Sequence, residues 1–265
     1  MKNIAFFAAF VSIVSGLHGF SLHSGGGILY GRADELVYAA SSSSDLLSRL
    51  VWPMEGLAYG ELGFGFGRRR TADFSFFAEA SVKLGLPGRT GTMTDTDWMS
   101  PSGYQTHYSA HDCLTDRAVQ SDYHLGFLFP VKDRLTLSPA MTLSTMSFSW
   151  TARDGYLQYG PNAGSGPYVP WDSSFAKVRL DGEGILYSQD WLILAFGLEL
   201  GWDFSERLAL KAAFSAAPFI VCGAQDDHLL RNLRFIDVMT GGYAFDPSLA
   251  LSYRLDARFS LFLRG

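Results

Sequence analysis

Two short acidic motifs hold most of the reactive side chains of this chain. In Asp95-Thr96-Asp97-Trp98-Met99 two carboxylates stand two residues apart. On extended backbone such residues point to the same side. Like charges held close raise one pKa, which suits proton handling or the holding of a water. A solvated acidic loop or a pair of Ca²⁺ ligands would use the same spacing. In Asp226-Asp227-His228 the first and third residues again share a side. A carboxylate beside an imidazole fixes its tautomer and raises its basicity, as in a general-base dyad. An exposed Asp-x-His can also be without a role. Glu35, at the top of the first expected strand, could hold a basic side chain. His111-Asp112-Cys113 offers a thiol beside an imidazole. Neighbours on a loop seldom face each other, so a thiol nucleophile is not expected there.

The elements that must position these residues are strands. Phe74, Phe76, Ala78, Ala80, Val82, Leu84 and Leu86 alternate with Ser75, Glu79, Ser81 and Lys83 among others. Leu249, Leu251, Tyr253, Leu255, Ala257, Phe259, Leu261 and Leu263 share one face of the last segment, opposite Ser252, Arg254, Asp256, Arg258 and Ser260. Period-two alternation marks a strand with one apolar face. These runs exceed the ~5–6 residues usual in soluble sheets and suit a tilted strand crossing a bilayer. Nine are readable, at about 25–38, 49–66, 74–86, 121–130, 135–152, 175–203, 208–221, 233–245 and 249–263. The sixth is too long for one span, and its apolar phase changes near Gln189-Asp190, which a bulge or a strand rising far above the membrane would explain. Short turns are expected at Gly67–Asp73, Val131–Arg134, Phe204–Arg207 and Asp246–Ser248, and long loops near 39–48, 87–120, 153–174 and 222–232. Short turns at one rim and long loops at the other is the plan of an outer-membrane barrel. Phe66, Phe74, Phe129, Phe204 and Phe245 beside the short turns fit an aromatic girdle. Arg68, Arg69 and Arg70 fall in a short turn, and Ser41 to Ser44 at a loop tip.

Composition agrees. The 265 residues are 48% hydrophobic and only 18% charged, which excludes a disordered acidic chain. A net charge of −5 argues against a nucleic-acid partner. Lys2 followed by the apolar run Ile4 to Val14 and the small residues Ser15, Gly16 and Gly19 reads as a cleavable export leader over residues 1–20, with the barrel over 21–265. An exported, apolar chain without a spanning helix points to a β-barrel, because only helices and closed barrels satisfy their backbone in lipid. Cys113 and Cys222 could pair outside the cytoplasm or remain free thiols.

The motifs, taken in order, resemble the omptins, outer-membrane proteases with a ten-stranded barrel. The resemblance rests on Glu35-Leu-Val-Tyr38, Gly91-Thr-Met-Thr-Asp-Thr-Asp-Trp-Met99, Thr151-Ala-Arg153, Asp226-Asp-His228 and Gly241-Gly-Tyr243 before a Pro-containing turn. It implies an antiparallel up-and-down transmembrane barrel with an extracellular active face. It also implies an aspartyl-type endopeptidase cleaving protein or peptide substrates next to basic residues. Asp226 would orient His228, His228 would deprotonate a water, and Asp95 and Asp97 would position it. Glu35 would bind the basic residue before the scissile bond. No cofactor or metal is implied, though omptins need lipopolysaccharide.

Three departures from the pattern carry expectations of their own. Omptins have a second acidic specificity residue where this chain has Ala224, which predicts a relaxed basic preference. The stretch matching the lipid site, Leu143 to Phe148, has Thr145 and Ser147 and no Arg, so the need for that lipid should be weaker. The last readable strand ends at Leu263-Arg264-Gly265, where omptins continue into a tenth. Ala224 and the missing strand would suit an inactive barrel serving as a surface adhesin or antigen. Retention of all four catalytic-type residues favours the endopeptidase. A small pore is disfavoured by the long loops.

Overall fold

The computed structural model describes residues 7–17, 20–39, 42–67, 75–164 and 166–265. Lys2 and Ile4 of the leader, Ser41, the Arg68–Arg70 cluster and Phe74 of the girdle lie outside them. Among the described residues thirteen antiparallel segments share one sheet. They are β1 (Phe7–Leu17), β2 (Phe20–Ala39), β3 (Ser42–Phe66), β4 (Ser75–Gly85), β5 (Gly88–Asp97), β6 (His107–Lys132), β7 (Leu135–Tyr159), β8 (Val178–Arg179), β9 (Glu183–Asp203), β10 (Leu208–His228), β11 (Leu233–Thr240), β12 (Ala244–Arg254) and β13 (Phe259–Arg264). A single 3₁₀ turn, η1 (Leu229–Arg231), links β10 to β11.

The sheet closes on itself. Its ring runs β1–β2–β3–β4–β6–β7–β9–β10–β12–β13 and back to β1. This is a ten-place antiparallel barrel. Above β4, the short β5 takes the same place between β3 and β6. Above β12, β11 takes the place beside β10. Seven of the nine readable strands each match one place, while 233–245 covers β11 and the start of β12, and 249–263 runs through a turn to cover the rest of β12 and all but the last residue of β13. The tenth is filled by Phe7–Leu17, within the stretch that reads as a leader. It pairs with β2 from Phe7↔Tyr30 to Leu17↔Phe20 and with β13 from Phe10↔Arg264 to Ser15↔Phe259.

The expected alternation is visible as an apolar outer belt. Leu62 and Phe64 on β3, Leu125 and Phe127 on β6, and Leu198 and Leu200 on β9 all face outward. Inside, at the same height, ion pairs fill the lumen: His23–Glu61 at 3.4 Å, Lys83–Asp122 at 2.9 Å and Lys211–Glu199 at 3.4 Å. Paired charges are what a buried polar interior requires. Phe20 and Phe66 at one end of the belt, and Tyr30 and Tyr123 nearer the other, are exposed aromatics at girdle positions.

Several expected boundaries shift. Residues 87–120 are mostly strand (β5 and the start of β6), and 222–228 is the end of β10, not loop. Both acidic motifs therefore sit on rigid strands. Residues 42–48 belong to β3. The turn expected at Asp246–Ser248 lies inside β12, with Pro247 opposite Phe214. The real turn is at 255–258, where Asp256 Oδ1 accepts hydrogen bonds from the Arg258 and Phe259 amides. That turn has no Gly or Pro, so the alternation ran through it unbroken. Phe245 consequently sits at the upper end of β12 opposite Ala216, away from the short turns. Gly241 to Tyr243 is a bend between β11 and β12 within one barrel place, not a hairpin.

The bulge expected near Gln189 is absent: β9 pairs with β7 and β10 without a break there. Odd positions of β9 face inward along its whole length. What changes is the chemistry of the two faces. Above the belt the interior is apolar (Ile185, Tyr187), and within the belt the exterior is (Leu192, Phe196). A bulge does occur in β3, at Gly56, whose φ of +77° absorbs one extra residue. It turns Leu50, Trp52 and Met54 inward above while Leu57, Tyr59 and Glu61 face inward below.

Candidate active site

Above the belt the inner wall is a hydrophobic cluster of Leu50, Trp52, Met54, Met93, Phe148, Trp150, Ile185, Tyr187 and neighbours. Trp52 and Trp150 each stack on Tyr187, with ring centroids 5.2 and 5.7 Å apart. This aromatic layer floors a cleft at the mouth of the barrel and separates it from the charged lumen beneath.

One wall is built by β2, β3 and β5. Glu35 pairs with Leu50, and Leu50 with Asp95. One step higher, Ser48 pairs with Asp97, and Asp97 with His107. Cross-strand partners point to the same face, so Glu35, Asp95 and Asp97 all turn into the barrel. Gly91 makes the close approach of β5 feasible: at φ +138° it carries a small bulge, and a Cβ there would come within 2.7 Å of Pro53. Asp95 is 7% exposed and accepts a hydrogen bond of 3.0 Å from the Ser48 hydroxyl.

The opposite wall is β10. Its inward residues are Cys222, Ala224, Asp226 and His228, opposite Trp191, Gln189, Tyr187 and Ile185 of β9. His228 Nε2 lies 2.7 Å from Asp226 Oδ2. Phe235 holds the imidazole edge-on, its ring centroid 5.6 Å away. Asp226 is 3% exposed, and its Oδ1 has no hydrogen-bond partner. Since Nε2 faces the carboxylate, Nδ1 is the nitrogen left for the cleft.

The two walls act on each other electrostatically, and all the groups concerned lie above the belt. Burial, reinforced by Asp97, pushes the Asp95 carboxyl up to about 7, while Ser48, His228 and Arg231 pull it down. Asp97 is likewise raised by burial and pulled down by Ser48, His107, Arg231 and His228. Burial, with Asp226, Asp237 and Asp95, pushes Glu35 up to about 8. Glu35 Oε2 has no hydrogen-bond partner, and the nearby Trp52 N–H makes no geometric bond to it. All five residues expected from the sequence thus line one cleft.

Ser48, Phe235, Arg231 and Asp237 also reach the cleft and were not singled out by the sequence. Ser48 lies in a serine-rich run with nothing to distinguish it. Asp237 was open to detection as the one acid in the inward stripe Leu233, Phe235, Asp237 and Met239 of β11. His111 is bound through Nδ1 to the Asp154 carbonyl and through Nε2 to Ser109. Cys113 and Cys222 are buried free thiols. Among the described residues no group of three or more His, Cys, Asp or Glu is placed to hold a metal.

A profile of the Omptin family matches residues 17–265. The chain belongs to the omptin family. This makes it an outer-membrane β-barrel and places it among outer-membrane proteases. The crystal structure of outer membrane protease OmpT from Escherichia coli superposes on this omptin with a TM-score of 0.76 at 18% identity, covering 99% of this chain and 84% of that one. The toluene transporter TodX of Pseudomonas putida covers 97% and 71% of the two chains at 11% identity, with a TM-score of only 0.40. No curated protein matches the sequence.

The raised carboxyls of this omptin's cleft have a thermodynamic cost. Unfolded, Glu35 titrates near 4.5; folded, near 8. Between these values the folded state holds the extra proton, so stability falls as pH rises from 4.5 to 8. Glu35→Gln removes that term. Its unfolding free energy from urea titration in detergent should exceed that of the wild type at pH 8 by several kcal/mol, and the two should converge at pH 4.5. Equal midpoints at pH 8 would show that Glu35 is not held protonated by burial.

Proposed function

We propose that this omptin is an extracellular-facing endopeptidase that cleaves peptide bonds next to basic residues with a water activated by His228. One observation carries the reading. The Asp226–His228 pair, at 2.7 Å, faces the buried Asp95–Asp97 pair across the mouth of the barrel. Asp226 accepts the Nε2 hydrogen and leaves Nδ1 as the base. His228 takes a proton from water, and the oxygen adds to the scissile carbonyl carbon. The resulting oxyanion needs a donor. The Asp95–Asp97 pair, kept partly protonated by burial and mutual repulsion, supplies an O–H for it. The imidazolium then gives its proton to the leaving amine, and no acyl-enzyme forms. Glu35 attracts the cationic side chain before the bond.

The test is hydrolysis of a quenched peptide containing Arg-Arg by detergent-refolded protein, with lipopolysaccharide added or withheld. Cleavage at that site is expected. A folded barrel that cleaves nothing under either condition overturns the reading and favours an adhesin or antigen. Residues 1–20 are read as an export leader. Mass spectrometry of protein from outer membranes should then place the mature N-terminus between residues 17 and 21, and an intact Met1 would refute it.

A further inference from the structure

The sequence predicts a single-carboxylate pocket for the basic residue, because Ala224 replaces an acid. The structure points to a second carboxylate from the neighbouring strand. Ala224 pairs with Asp237 of β11. Directly paired residues have Cβ atoms roughly 4.5–5.5 Å apart on the same face. That face is the inner one: on the rows either side of Asp237, Phe235 packs on His228, and Met239 packs on the core cluster. Asp237 therefore presents its carboxylate beside the place a longer side chain at 224 would occupy. Glu35 stands across the cleft from it, with Oε2 buried and unpartnered. Asp226, one inward step along β10 and 3% exposed, has its Oδ1 unpartnered. The electrostatic pressure of Asp237 and Asp226 on Glu35 agrees with one shared cavity. Ala224 and Met239, both in or against the core cluster, add apolar groups beside the acids, suited to the methylene stem of a long side chain.

We infer that Asp237, together with Glu35, forms a two-carboxylate pocket for the guanidinium or ammonium group of the substrate residue before the scissile bond. This rests on the endopeptidase reading above. It replaces the expected relaxed preference with a strict one, since two carboxylates hold a planar guanidinium better than one.

The experiment compares peptides that differ only in arginine or neutral citrulline at that position. For the wild type, kcat/KM should favour arginine by about a hundredfold or more. Asp237→Asn should lower that ratio by about tenfold, mainly through KM, and Ala224→Asp in the same background should restore it. An unaltered ratio in Asp237→Asn refutes the inference while leaving the endopeptidase standing. Binding is read independently, from the fluorescence anisotropy of a labelled arginine peptide on the His228→Ala protein with and without Asp237→Asn. If the wild type cleaves neither peptide, an Asp237-dependent affinity still upholds the pocket and only the cleavage reading falls. An affinity that does not change with Asp237→Asn refutes the pocket.

Discussion

His228→Ala should reduce the turnover of an Arg-Arg peptide by about 10²–10⁴-fold with the barrel intact. Imidazole is the side-chain type suited to act as a base near neutral pH, and that of His228 is oriented from both sides. Asp226 fixes Nε2 at 2.7 Å, and Phe235 packs edge-on against the ring. Removal also strands Asp226, buried to 3% exposure, with neither oxygen bonded. Some loss of stability should accompany the loss of rate, because an unpaired buried carboxylate is costly. Heat-modifiable migration on gels separates the two effects. A variant that runs as a folded barrel and retains even a tenth of wild-type turnover would remove His228 from the mechanism. Asp226→Asn should fall in the same range, since an amide can donate to Nε2 and stabilise the wrong tautomer.

The second large effect concerns closure. A chain refolded from residue 20 onward should be far less stable than the 265-residue chain, and should lose heat-modifiable migration. Eleven cross-strand pairs tie β1 to β2 and six tie it to β13. β1 runs antiparallel to both, so β2 and β13 run parallel to each other. Nine antiparallel strands cannot close without one parallel seam. An open edge inside detergent or lipid leaves backbone groups unpaired, at several kcal/mol each. Equal thermal midpoints for the two chains would mean that the ring closes without Phe7–Leu17. Removal of residues 1–20 as an export leader would take β1 with it, so leader and closing strand are opposite readings of one stretch, and the truncated chain decides between them.

Apolar and polar residues alternate along each strand at a period of two, and that local signal specified the barrel class, its lipid-facing surface and most of its strands. It left both acidic pairs in expected long loops, where a spacing of two means a shared side only if the backbone is extended, and β5 and β10 supplied that backbone. The ends of the elements were harder to see. Above the belt the polarity of the two faces inverts, so Tyr187 and Leu192 on β9 look out of phase although the backbone never shifts. An Asx-type turn at Asp256 left no Gly or Pro to mark it.

Everything that depends on pairing between distant strands was decided by the tertiary structure. Register across β2, β3 and β5 turned Glu35, Asp95 and Asp97 to one wall, and register across β9, β10 and β11 turned Asp226 and His228 to the other. The same pairing set Asp237 beside Ala224, thirteen positions away along the chain. Closure by Phe7–Leu17 likewise required the whole ring, because the need for a tenth strand arises only when β2 and β13 come round to face each other. Period and residue type are properties of a few neighbouring residues. Facing walls and a closed ring are properties of hydrogen-bonded pairs that the linear order of residues does not contain.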